Sequence, residues 1–295
     1  MVEELAFLSR AFFLDQVNEM PKIRIAATFA LIILGIQIEQ SSILSAQDEP
    51  PATLADSPFQ VMQDAVSRVQ ARSLESGTAK NLPVNKPPIL RFGDATRKTI
   101  DGVVWSLGEG RPKAMVAMEL VTKDFEPTVL SYEFLCLTDD KIVVTAGPGW
   151  TWTPRSSALK FKTLPASIPV SPSKLVRQRQ IKQLAQQFSA SEFHEGEDYV
   201  LRLLTNPIVR YVIDDAKGDM GAIFAFSNGT NPEVLLFIES TESRWQYGFV
   251  RMCGASPTAR LDGEVVWSEP SMTELGSGWD RAYTGDVHPV NVTAK

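Results

Sequence analysis

Residues Asn206–Tyr211 read NPIVRY, and Pro87–Phe92 read PPILRF. Each runs proline, isoleucine, a second aliphatic residue, arginine and an aromatic ring, and the two arginines, Arg91 and Arg210, stand 119 positions apart. The separation recurs downstream: Gly102 and Gly221, Trp105 and Phe224, and Gly110 and Gly229 are also 119 apart. Pro112/Pro232 and Glu119/Glu239 are 120 apart, and Tyr132-Glu133-Phe134 matches Tyr247-Gly248-Phe249 at 115, as Trp152 matches Trp267. The offset drifts only at turn-like segments, where insertions are tolerated. The pattern predicts an α+β fold with an internal duplication, each copy one helix plus an antiparallel β-meander of about five strands.

The helices precede the meanders. Ser57–Ser73 (SPFQVMQDAVSRVQARS) starts on a capping serine and a first-turn proline, with Phe59, Met62, Val66 and Val69 on one face. Ser171–Phe188 repeats the Ser-Pro start, with Leu175, Ile181, Leu184, Ala185 and Phe188 as its apolar stripe. Arg177, Arg179 and Lys182 read as its solvated face. Between and after the helices come short apolar runs separated by turns such as GEGRP and Asp262-Gly263. Ala114, Val116, Met118 and Leu120 alternate along one strand face, and Val234, Leu236 and Ile238 along its counterpart. The expected organisation is a first repeat over 57–165, a second over 166–270 and a polar, flexible tail over 271–295.

The amino terminus reads as an address. After Met20, Lys22 and Arg24 precede the apolar run Ile25–Ile36, and Leu44-Ser45-Ala46 supplies small residues for cleavage after Ala46. The run is shorter than the roughly 20 residues a spanning helix needs, so no integral membrane span is expected after cleavage. Residues 1–19 carry Glu3, Glu4, Asp15 and Glu19 against Arg10, the wrong charge for the start of a signal peptide. Met20 is therefore read as the true start, 20–46 as a signal peptide and 47–56 as a Pro- and acid-rich linker. Export places the chain in the periplasm or outside the cell. There Cys136 and Cys253, the only two cysteines, can pair, although both sit in apolar strands where a free thiol also packs as a small hydrophobe.

Few residues offer chemistry. The net charge of −6 and dispersed basic residues give no field for nucleic acid. Two histidines, His194 and His288, exclude a His-rich zinc site, and neither a phosphate loop nor a nucleophile elbow occurs, so no metal or cofactor is expected. His194 among Glu195, Glu197 and Asp198 reads as an acidic solvated loop. The repeat singles out Arg91, Arg210, Glu119 and Glu239. They can be read as anion clamps with an acid or base, but the favoured reading is an Arg–Glu pair fixing each proline segment to its sheet. Trp150 and Trp152 point the same way on one strand, either as an exposed pair that stacks on a sugar or partner protein, or as core.

The leader, the duplicated segment, DGVVW, FSNGTNPEVLL and the closing RLDGEVVW together resemble a family of exported proteins from planctomycete-type bacteria, over roughly Pro87 to Pro270. The resemblance implies localisation and lineage and brings no activity with it. Two functions follow from the whole reading. The leading one is a noncatalytic exported protein that binds a partner protein or polymer at the cell envelope, or serves there structurally. The alternative is an exported hydrolase-like enzyme using carboxylates, with Glu119, Glu133 and Glu239 first to test.

Overall fold

The computed structural model describes residues 58–75, 78–94, 99–121, 129–146, 150–165, 168–241, 244–272 and 280–289. The leader, the Ala46 cleavage point and the linker lie outside these residues. The described residues form two helices and eighteen strands, and every ladder is antiparallel. The architecture is therefore predominantly antiparallel sheet with a small helical part.

Helix α1 is Pro58–Ser67 and buries Met62, Ala65 and Val66. It ends short of the expected Ser73, because Val69–Glu75 is strand β1. Val69 continues the helical spacing of Met62 and Val66, yet β1 pairs on both sides, with β2 (Thr78–Asn81) and β7 (Lys141–Ala146). Two ladders outweigh a propensity that is weak to begin with. Strands β3 (Leu90–Asp94), β4 (Thr99–Leu107), β5 (Ala114–Val121) and β6 (Val129–Cys136) form the first meander, and β8 (Thr151–Trp152) pairs with β7.

After the two-residue strand β9 (Lys162–Thr163) comes helix α2, Lys174–Ala185. It too stops early, and Phe188 opens strand β10 (Phe188–His194). The expected stripe is partly rotated: Ile181, Leu184 and Ala185 are buried, whereas Leu175 is 59% exposed and Arg177 lies inside. Then follow β11 (Glu197–Leu203), β12 (Val209–Asp214), β13 (Asp219–Asn228), β14 (Asn231–Thr241), β15 (Arg244–Arg251), β16 (Ser256–Leu261) and β17 (Glu264–Ser268). The segment expected to be a flexible tail contains strand β18, Tyr283–Pro289, hydrogen-bonded along β6. Tyr283 and Thr284 are buried there, which gives this otherwise polar segment its anchorage.

Strands β4–β6 and β13–β15 are covered on both faces, which explains their nearly unbroken apolar composition. One face of the first set (Trp105, Val116, Phe134) packs with α1, β1 and β7. One face of the second (Phe224, Leu236, Phe249) packs with α2, β10 and β16. The opposite faces meet in a shared core in which Val104, Met115 and Leu135 join Ile223, Leu235, Phe237 and Val250. The edges are crossed as well. Strand β9, which follows the first meander, pairs with β15 of the second, and β18, which follows the second, pairs with β6 of the first.

Candidate functional site

Glu119, Glu133 and Glu239 are buried on the strand faces that carry Ala117, Leu135 and Phe237 of this shared core. Across β12, β13 and β14 the register runs Tyr211, Gly221, Glu239, and across β3, β4 and β5 it runs Phe92, Gly102, Glu119. Each glycine leaves room for an aromatic ring. A Cβ on Gly221 would stand 2.5 Å from the Tyr211 ring, and one on Gly102 would stand 2.3 Å from the Phe92 ring. Glu239, 1% exposed, accepts hydrogen bonds of 2.8 Å from the Tyr211 hydroxyl and 2.8 Å from the Gln246 amide. Arg111, from the turn between β4 and β5, approaches the same carboxylate at 3.4 Å and lies over the Phe161 ring. Burial, and then the charge of Glu239, hold the Tyr211 phenol well above the usual tyrosine range, so it stays a hydrogen-bond donor. Glu119 accepts from the Thr99 hydroxyl at 3.1 Å and makes further contacts, and Glu133 accepts from the Tyr283 hydroxyl at 2.7 Å.

The expected Arg–Glu pairs do not form. Arg91 makes a two-pronged bond to Asp101, 2.8 Å and 2.7 Å, with its guanidinium over the Phe59 ring. Arg210 is exposed on β12, while Glu239 is held by Tyr211, Gln246 and Arg111. The reason is alternation: successive residues of a strand face opposite sides, so the ring after each arginine, and not the arginine, lies over the glycine on the glutamate's face, and the Tyr211 hydroxyl reaches Glu239. Asp101, Arg111 and Gln246 lay outside the expected set. The matched glycines and the aromatic residue after each arginine were the signal for this arrangement.

Trp150 and Trp152 are buried, with Trp150 stacked on Phe134 at 4.5 Å and the Trp152 indole donating to the Arg281 carbonyl, so they are core and not a stacking surface. Cys136 and Cys253 are both buried and form no disulfide with each other, so the pairing that export permits is not present. The Cys136 thiol faces the α1 side of its sheet and donates to the Thr138 carbonyl at 3.2 Å; burial pushes its pKa up to about 11. Cys253 lies beside Glu192 and Glu233, with the three potential ligand atoms within 4.8 Å of one another. These are the described residues best placed to hold a metal ion, as a mixed oxygen and sulfur set. All three are buried and also make other contacts. His194 is not part of a solvated loop: it ends strand β10, where it pairs with Glu197, and its side chain is 12% exposed and 3.6 Å from Glu195.

Clefts among the described residues include two at the surface. The larger, about 480 Å³, is walled by Lys160, Arg251, Trp267, Met272, Arg281 and Tyr283, and the smaller, about 300 Å³, by residues of Asp139–Lys141 and Thr153–Ser156. Neither is lined by Glu119, Glu133 or Glu239. No protein-family model, curated protein or solved structure matches this chain.

Proposed function

We propose that the chain is an exported, noncatalytic protein that binds a partner protein or polymer, or serves structurally, at the cell envelope, and that it belongs with the planctomycete-type exported proteins it resembles. One observation carries the noncatalytic part. Glu119, Glu133 and Glu239 lie between the sheets with protein donors, and none of them lines either cleft. A hydrolytic carboxylate pair needs instead to converge on space a substrate can enter. The test has two arms. Expression from Met20 in a bacterium should give an extracytoplasmic protein beginning at Gln47; an unprocessed cytoplasmic product overturns export. Purified protein should show no turnover on glycoside, ester and peptide substrates. Turnover abolished by Glu119→Gln, Glu133→Gln or Glu239→Gln at unchanged melting temperature establishes the hydrolase instead.

We further propose that the fold arose by internal duplication. The paired registers support this reading: Phe92 opposite Gly102 and Tyr211 opposite Gly221, Val84 opposite Leu107 and Leu203 opposite Phe226, all at the 119-residue offset. The element order supports it too. A helix precedes eight strands in which the first pairs with the seventh, the third with the fourth and the seventh with the eighth, over α1–β8 and again over α2–β17.

A further inference from the structure

The larger cleft holds a buried cation. Arg251, 8% exposed, ends β15 and donates through Nε to the Cys253 carbonyl, through Nη1 to the Pro270 carbonyl and through Nη2 to the Ala255 carbonyl. A guanidinium has five N–H groups, so one on each terminal nitrogen is left over. Among the described residues Arg251 forms no ion pair with a carboxylate, and its remaining near neighbour is the Tyr283 ring at 5.9 Å. A buried charge costs free energy unless a counter-charge is supplied, and carbonyl dipoles supply only part of it. Arg281 and Lys160, the latter paired with Asp139 at 3.4 Å, add positive charge at the rim, against Glu269 as the one acid of the lining. Besides Ser157 and Ser271 the walls carry apolar surface: Trp267, stacked with Phe249 at 5.7 Å, together with Met272 and the Tyr283 ring. A cleft of about 480 Å³ is within the range that takes small organic molecules.

We propose that this cleft binds a small organic carboxylate with an apolar body, its carboxylate completing the charge of Arg251 and its body lying against Trp267 and Met272. The assignment deepens the binding reading above and rests on it. Its test is separable from that reading, because titration reports on this cleft alone, whereas processing and turnover report on export and catalysis. Octanoate and indole-3-acetate are titrated calorimetrically against the full mature chain, with their primary amides as neutral controls. The expected result is binding of at least one acid, with its amide weaker by about tenfold or more, and loss of binding in Arg251→Met. Arg281→Gln, at the exposed rim, is expected to weaken the acid about two- to fivefold. Should Arg251→Met fail to fold, the comparison of acid with amide on the unaltered chain decides. Equal affinity of acid and amide, or absence of binding by both acids up to ~5 mM, overturns the proposal.

Discussion

Tyr211 reaches across a whole strand, over Gly221, to donate to Glu239 at 2.8 Å. Tyr211→Phe should therefore cost about 1–3 kcal/mol in urea unfolding, since a buried carboxylate loses a donor. Arg111→Ala should cost about 1 kcal/mol or less. Its side chain is 42% exposed and 3.4 Å from Glu239, so solvent screens the attraction. An equal or larger loss for Arg111 would place the anchorage of Glu239 in the ion pair instead.

The glycines beneath the rings set a second expectation. Gly221→Ala and Gly102→Ala put a methyl group into the Tyr211 and Phe92 rings and should each cost about 1–3 kcal/mol by overpacking. Gly229 sits at φ +58, and a methyl group there would meet nothing within 4 Å, so Gly229→Ala should cost about 1–2 kcal/mol through the backbone alone. Crystal structures of the variants separate the mechanisms: ring displacement in the first two, none in the third.

Strand β18 is expected to be indispensable. Removing residues 283–295 takes the Tyr283 hydroxyl from Glu133 and leaves the β6 edge without its partner. The truncated chain should lose at least ~3 kcal/mol in urea unfolding and aggregate by light scattering. A truncated chain as stable as the full one would show β18 to be a passive appendage.

His288 should make stability depend on pH. Its hydrogen bond to Asp286, 3.2 Å away, raises its pKa above 6.5, and burial opposes the rise only in part. Because the folded value is the higher one, its stabilising contribution is complete below about pH 6.5 and disappears as the pH climbs through the folded value. His288→Gln should therefore lower the melting temperature at about pH 5 and leave it nearly unchanged at about pH 9. A difference of the same size at both values would rule out a protonation effect.

The strands buried on both faces were legible because their composition is nearly continuous, as in Ala114–Val121 and Val234–Ile238. Strand β1 was not, since Val69 prolongs a helical spacing and only its contacts with β2 and β7 decide otherwise. Strand β18 carries Gly285, Asp286 and Pro289 and so reads as loop, its identity resting on a partner some 150 residues earlier. At the candidate site the recurrent spacing singled out Arg91, Arg210, Glu119 and Glu239 but not the partners that Arg91, Glu119 and Glu239 take. Arg91 and Glu119 share an offset with their counterparts, yet pleating sends them to opposite faces, and Asp101 and Tyr211 take the roles assigned to them. The Arg251 cleft left no trace in the sequence, because its walls come together only through the ends of β15, β17 and β18.

The pairing of β18 with β6 also orders events in time. A chain made from its amino terminus has Val129–Cys136 in hand long before Tyr283–Pro289 exists, so the first sheet keeps an open, hydrogen-bond-hungry edge until that later strand has been made. The half built first is thus the half closed last.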